Sequence, residues 1–560
     1  MAAIITNKLR IFNAQQFIES LAEQAALWAP SNSYSEGDVV LNGTNLYVCA
    51  ETGVSNSSGD GPTHVTGVSA DGTATWAFYN VSLYNNLFMG IGKHTAWADD
   101  ANPPTPIDSV KSNNTVKDDL TAIKKVDATK VSLAIPRIDW TSGRTYTMYE
   151  DILAEAIIPN NYIITQGTNQ YNVYKCISNQ VWTDVSTGVQ TASSTVQPTG
   201  TSTNTLEETA DGYVWKFMYK IELTDALKFL TKDYLPVKNL YSAPAVSHQD
   251  YAQWQVRNSA NTNSGAIQNI KIIDDDTNSG HSGGSGYNQN LVLSNVAVAT
   301  STTAISITTG SSLANNDFAG YSLIVTPSGG SNQFQRKITA STYSGGALSL
   351  TIASGFDAAE AGAGSTIIVA PTVEVTSTTG SGFTGYGLTQ GDQIKKVVIT
   401  DGGTNYNTAT ALVVANDVPV SITSCKITPI ISPEKGHGYN PVEELGGYYA
   451  MIAMKLEYSE QDTRSLDAGS GTATEDVFPV SLAEGVFRQI IILTDPIDKS
   501  TSKLAMNGTY KGPQHPTYNT SNRSKFDIVS GTGKVLYVEN RQPVARAVDQ
   551  IEDIKVVFEF

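Results

Sequence analysis

Repetition is what most constrains this chain. The stretch "DGTATWAFY" at 71–79 returns as "DGYVWKFMY" at 211–219, and the likeness continues upstream, where "NLYVC" at 45–49 matches "NVYKC" at 172–176 and "GPT" at 61–63 matches "QPT" at 197–199. The shared order is Tyr-x-Cys, Pro-Thr, Asp-Gly, Trp-x-Phe. Period-two spacing puts Trp and Phe on one face of a strand, and Asp-Gly supplies a turn conformation. Each copy therefore predicts a hairpin-like unit that packs its aromatics against the Cys strand. Trp follows Asp71 by five residues but Asp211 by four, so the spacing does not require the same register in both copies.

A second repeat occupies the middle. "IQNIKIIDDDTNSGHSGGSGYN" (267–288), "IKKVVITDGGTNYN" (394–407) and "ITPIISPEKGHGYN" (427–440) each run from a β-branched strand into a Gly-rich turn ending in Tyr-Asn. Glycine suits turns where φ is positive. Short Val/Ile/Thr strands over 293–372, separated by "SGGS", "SGG" and "AGAGS", predict a small barrel or sandwich of its own. Helical spacing is confined to 14–27, with Asn13 and Gln16 as the N-cap pair, and to 117–125, where Asp118 and Asp119 would face the positive end of the helix dipole.

A palette rich in Gly, Ser, Thr, Asn and Tyr, with 16% charged residues in 560, fits strands joined by frequent turns. The net charge of −17 carries no basic block, which argues against nucleic acid as a partner. No apolar run reaches about 18 residues and the amino terminus lacks a signal-peptide core, so membrane insertion and ordinary secretion are not expected. Cys49, Cys176 and Cys425 are too scattered for a disulfide framework or a four-ligand zinc site.

The search for chemistry ends in one weak candidate. Asp274, Asp276 and Asn278 alternate as a calcium loop requires, but the glycine falls at the seventh place and Ser285 stands where a bidentate Glu would close the site. A solvated turn is the simpler reading. No nucleophile elbow, phosphate loop or His-Glu-x-x-His occurs, and "GSGFTGYG" at 380–387 joins strands without preceding a helix. No catalytic residue, metal or cofactor is expected. "SNSYSEGDVVLNGTNLYVC" followed by Trp76 looks like small β modules that stack sugars, but Trp76, Trp215, Tyr47 and Tyr174 read more simply as core.

Segments outside the repeats carry a family resemblance. "LFMGIGKHTAWADDANPPTPIDS" (87–109), "IPRIDWTSGRTY" (135–146), "DGYVWKFMYKI" (211–221), "FRQIIILTDP" (487–496) and "GKVLYVENRQPVARAVDQIEDIKVVFEF" (533–560) resemble, in order, a baseplate wedge subunit of contractile-tailed bacteriophages. The resemblance implies a non-enzymatic virion protein with a two-layer β-sandwich, assembled in the host cytoplasm. It also implies a homodimer that touches other wedge subunits and, at the periphery, tail or fibre proteins.

The resulting expectation is a mainly β chain with one short N-terminal helix and two inserted small β domains. The core is 1–27, 81–254 and 441–560, interrupted by a module at 28–80 and a repeat-like domain at 255–440. Compact relatives lack the first insertion and shorten the second. The second "DGYVW" then belongs to the family core, and the first to an added module that resembles it. Partner contact is assigned to the stiff loop 97–109 through Trp97, Pro103, Pro104 and Pro106, because prolines lower the entropy lost on docking. The alternatives weighed are a carbohydrate-binding or adhesion protein, which should expose a row of aromatic faces, and a depolymerase, which needs two carboxyls across a groove.

Overall fold

The computed structural model describes residues 5–22, 26–36, 38–43, 45–79, 87–151, 161–184, 188–261, 265–273, 283–309, 313–414, 424–456, 485–499, 502, 505, 509–511, 528–546 and 551–560. The protein is mainly β, built of antiparallel sheets. By contact it divides into two units, residues 1–134 with 447–560, and residues 135–446, so that 135–254 groups with the middle of the chain.

The first unit centres on a five-stranded sheet in the order Thr509–Lys511, Leu120–Lys125, Leu87–Gly92, Gly485–Thr494, Lys534–Arg546. Leu87–Gly92 is buried throughout, as a strand covered on both faces must be. Its Gly90 has a packing reason: a Cβ there would fall 2.0 Å from the Ala122 carbonyl oxygen. One face packs Met89, Ile91, Ile490 and Ile492 against Ile452, Met454 and Val556 of the facing strands Tyr449–Leu456 and Glu552–Glu559. The other face packs Phe88, Ile123 and Leu493 with Val116 of helix Val110–Asp118.

Both helix expectations need correction. The first helix spans Asn7–Ala22, and Ile11 and Ala14 are buried while Phe17 and Ile18 pack on the facing layer. The true apolar stripe begins before Asn13, which lies inside the helix and caps nothing. Residues 117–125 are split: helix Val110–Asp118, capped by Ser109 Oγ accepting from Ser112 N at 3.2 Å, gives way to strand Leu120–Lys125. Leu120, Ala122 and Ile123 are wanted on both faces of the sheet, and that tertiary demand overrides their helical spacing.

The two repeats fold alike, strand for strand. Val39–Asn42, Asn45–Glu51, Ala74–Tyr79 and Val68–Asp71 are consecutive in one sheet, as are Tyr162–Gln166, Gln170–Ser178, Val214–Glu222 and Glu207–Glu208 in another. Tyr47 lies opposite Phe78 and Cys49 opposite Trp76; likewise Tyr174 lies opposite Phe217 and Cys176 opposite Trp215. The registers agree although the extra residue lies in the strand: Asp71 and Asp211 each stand three residues before the strand start, and Trp76 is third in its strand where Trp215 is second. A bulge follows each cysteine, whose thiol donates to the carbonyl two residues on, Cys49 to Glu51 at 3.1 Å and Cys176 to Ser178 at 3.7 Å. Gly72 and Gly212 both take positive φ, 71° and 86°.

The repeat extends further upstream than its motifs announced. Tyr34 Oη accepts from Ala29 N at 2.8 Å and meets the Trp76 ring edge-on at 4.8 Å. Tyr146 Oη accepts from Thr141 N at 2.6 Å and meets Trp215 at 5.7 Å. Each turn aspartate points inward. Asp71 accepts from Trp28 Nε1 at 2.7 Å, and Asp211 accepts from Ser194 Oγ at 3.1 Å, whose oxygen in turn accepts Trp140 Nε1 at 3.1 Å.

In the second unit, strands Ile267–Ile272 and Ile427–Ile431 pair antiparallel, bringing the two ends of the middle region together. Between them, six strands from Leu291–Val296 to Ser365–Ala370 form one sheet around one core of Ile305, Leu323, Ile338, Leu350 and Val369, as the strand-rich 293–372 stretch predicted. A four-stranded sheet follows, and all but the first residue of "GSGFTGYG" lies within its strand Ser381–Gln390, not in a connection. Of the Tyr-Asn turns, Tyr287 and Tyr406 are buried in a shared core, whereas Tyr439 is half-buried under the Arg257 guanidinium, 4.0 Å away.

Candidate assembly surfaces

The segment after strand Leu87–Gly92 is tied down at its start and open at its end. Lys93 takes positive φ and sets its ammonium over the Trp97 ring at 5.1 Å. Trp97 N donates to Asp100 Oδ1 at 2.8 Å and Trp97 Nε1 to the Arg541 carbonyl at 3.2 Å. Asp100 accepts a two-pronged bond from Arg488, 2.8 Å from Nε and 2.7 Å from Nη2. That guanidinium, with the Trp97 N–H, holds the Asp100 carboxyl below its ordinary 3.8. Further along, Gln542 Nε2 donates to the Ala101 carbonyl at 2.9 Å and Asn540 Nδ2 to that of Pro104 at 2.7 Å.

Trp97 is half-buried and anchored on its own chain, and Pro103 is half-buried beside it. Pro104 and Pro106 are exposed. So are Ile107 at 69% and Val110 at 81%, which the sequence reading did not single out. The loop is hydrogen-bonded to the sandwich as far as Pro104 and carries exposed apolar side chains beyond it. Nothing in the motifs signalled its lock, because Asp100 and Arg488 lie 388 positions apart.

Among the described residues no three or more His, Cys, Asp or Glu side chains gather to hold a metal. Asp274, Asp276 and Asn278 lie outside the described residues. Trp76, Trp215, Tyr47 and Tyr174 are fully buried, so none presents a face to a sugar ring. Burial also pushes the Cys49, Cys176 and Cys425 thiols up, away from thiolate chemistry. No described helix is long and apolar enough to cross a membrane.

One buried ionic group went unforeseen. Lys175 and Lys216 stand directly opposite each other on the second repeat's outer sheet face, 1% and 5% exposed. Two segments meet them: Lys175 Nζ donates to the carbonyl of Glu444, in helix Pro441–Glu444, at 3.1 Å, and Lys216 Nζ to that of Thr203 at 2.9 Å. Burial pushes the Lys216 ammonium down to about 8, with the Glu444 charge acting the other way. Burial alone would raise Glu444, yet its His437 and Lys175 neighbours and the Gly438 N–H, 2.7 Å away, hold it low. The paired positions in the first repeat are Val48 and Ala77.

Comparison with known proteins bears on one end of the chain. A family model described as bacteriophage T4 Gp8 matches residues 474–560. No curated protein matches. The match points to a phage baseplate wedge. It covers three strands of the five-stranded sheet, Gly485–Thr494, Thr509–Lys511 and Lys534–Arg546, and strand Glu552–Glu559 of the facing layer. Arg488, Asn540, Arg541 and Gln542, the residues that hold the 97–104 segment, all lie in the Gp8-like span.

Proposed function

We propose that this protein is a non-enzymatic structural subunit of a phage tail baseplate wedge, which dimerises and bridges neighbouring wedge subunits. The observation that supports the reading is the coincidence of the Gp8-like strands with the residues that lock the 97–109 loop. A subunit of this kind acts by burying surface, typically more than about 2,000 Å² in a permanent interface. A loop locked by a two-pronged Arg–carboxylate contact and stiffened by prolines loses little entropy on docking. In this reading Trp97 is the internal anchor of the loop, and Pro103, Pro104, Pro106, Ile107 and Val110 meet the partner.

The same proposal treats 28–80 and 255–440 as insertions relative to compact relatives, in a core of 1–27, 81–254 and 441–560. Pairing of Ile267–Ile272 with Ile427–Ile431 supports it, since an insertion must begin and end close together. The test is direct: purified tails are digested and searched for this chain, and the free chain is weighed by sedimentation. A dimer in solution and presence in tails are expected. Absence from tails, or hydrolysis lost on one carboxylate substitution, defeats the reading.

A further inference from the structure

The two repeats differ in one respect that has a functional consequence. In the second, the sheet face turned away from Trp215 is covered: Lys175 is buried against Glu444 and Lys216 against Thr203, and the Glu444 carboxylate answers their charge. In the first, the equivalent face carries an unbroken cross-strand row, Val48 opposite Ala77 and Ala77 opposite Val68. Val48 and Ala77 are only half-buried, Ala70 is exposed, and Val68 is 60% exposed. Internal repetition thus shows what such a face receives when it is complete, namely a short segment laid across it.

Charge indicates what the missing cover is. Residues 28–79 contain Glu36, Asp38, Glu51, Asp60 and Asp71 and neither Lys nor Arg. Glu51 flanks the row itself, accepting from Thr75 Oγ1 at 2.8 Å, and it is exposed like Glu36, Asp38 and Asp60. Relative to its twin, the face has exchanged buried cations for an apolar row flanked by the Glu51 carboxylate. The module holds no Lys or Arg with which the same face of a second copy could answer Glu51.

We propose that this face is a docking site for a neighbouring protein, through a short segment that is apolar at its centre and carries Lys or Arg at its edges. The inference rests on the baseplate reading only for where the neighbour is sought. In full-length chain, Val68 is replaced by photo-reactive benzoylphenylalanine; tails are purified, checked by mass spectrometry for the chain, irradiated, and the cross-linked peptide sequenced. The expected product is a single peptide with apolar residues flanked by Lys or Arg, its yield falling several-fold between low and high salt. The double variant Val68→Lys/Ala77→Lys should lose that product's binding partner from tails while its melting curve stays that of the parent. A cross-link to a second copy, to an acidic segment or to carbohydrate overturns the proposal, as does no cross-link in tails that contain the chain. Tails without the chain would instead count against the baseplate reading.

Discussion

Asp100 and Lys216 show how single residues set the behaviour of this protein. Asp100 fixes the loop from both sides, accepting from Trp97 N and from Arg488. Asp100→Ala should therefore speed amide exchange at Trp97 at least about tenfold while leaving the core's slowest amides unchanged. Because the folded carboxyl titrates below 3.8, the lock is complete above that value and is lost only as pH falls beneath it, so loop exchange should rise at acid pH before the sheet opens. Lys216 has the opposite sign. Its folded ammonium titrates near 8 against 10.5 unfolded, so between these values the unfolded chain holds more protons and stability rises with pH. Between pH 8 and 9.5 the rise should reach about 1–2 kcal/mol in denaturant titrations, and Lys216→Met should abolish it.

Strands and turns respond to larger changes. Gly90→Ala would push a methyl into the Ala122 carbonyl at the centre of the five-stranded sheet, at a cost of about 3 kcal/mol or more by chemical denaturation. Trp76→Ala and Trp215→Ala empty equivalent positions in two cores, and each should cost about 3–5 kcal/mol in the transition of its own unit. Much at this scale was legible. Trp-x-Phe and Tyr-x-Cys foretold that the aromatics share one face and pack against the Cys strand, because a period of two puts alternate residues on one side. The matching registers were not legible, since the extra residue counted from Asp lies within the strand itself. Leu120 and Ile123 read as helix because three-residue spacing suits either period when a strand is buried on both sides. Trp28 and Tyr34 could have been aligned with Trp140 and Tyr146, but the motif between them is a loop without shared letters. Asp100–Arg488 and Lys175–Lys216–Glu444 left no local trace, being products of tertiary pairing.

For the molecule as a whole, residues 135–446 are one contact unit, flanked in sequence by Ala134 and Tyr449, which pair with each other in the first unit, so the piece expressed alone should melt cooperatively; a broad, non-cooperative melt would show that the unit is not autonomous. Topology adds a consequence for biosynthesis. Strand Gly485–Thr494 sits between Leu87–Gly92 and Lys534–Arg546, so the central sheet cannot be completed until the end of the chain has been made. Roughly 390 residues separate it from Leu87–Gly92, which at about 5–20 residues per second leaves the 87–92 edge unpaired for about 20–80 s on the ribosome. During that interval Leu87–Gly92 is a bare, fully apolar ribbon paired on one side only, while the second unit emerges and can finish folding. Cells translating this message at high density would hold many such ribbons at once, and chaperone occupancy of nascent chains should peak before residue 485 is made and fall sharply after it.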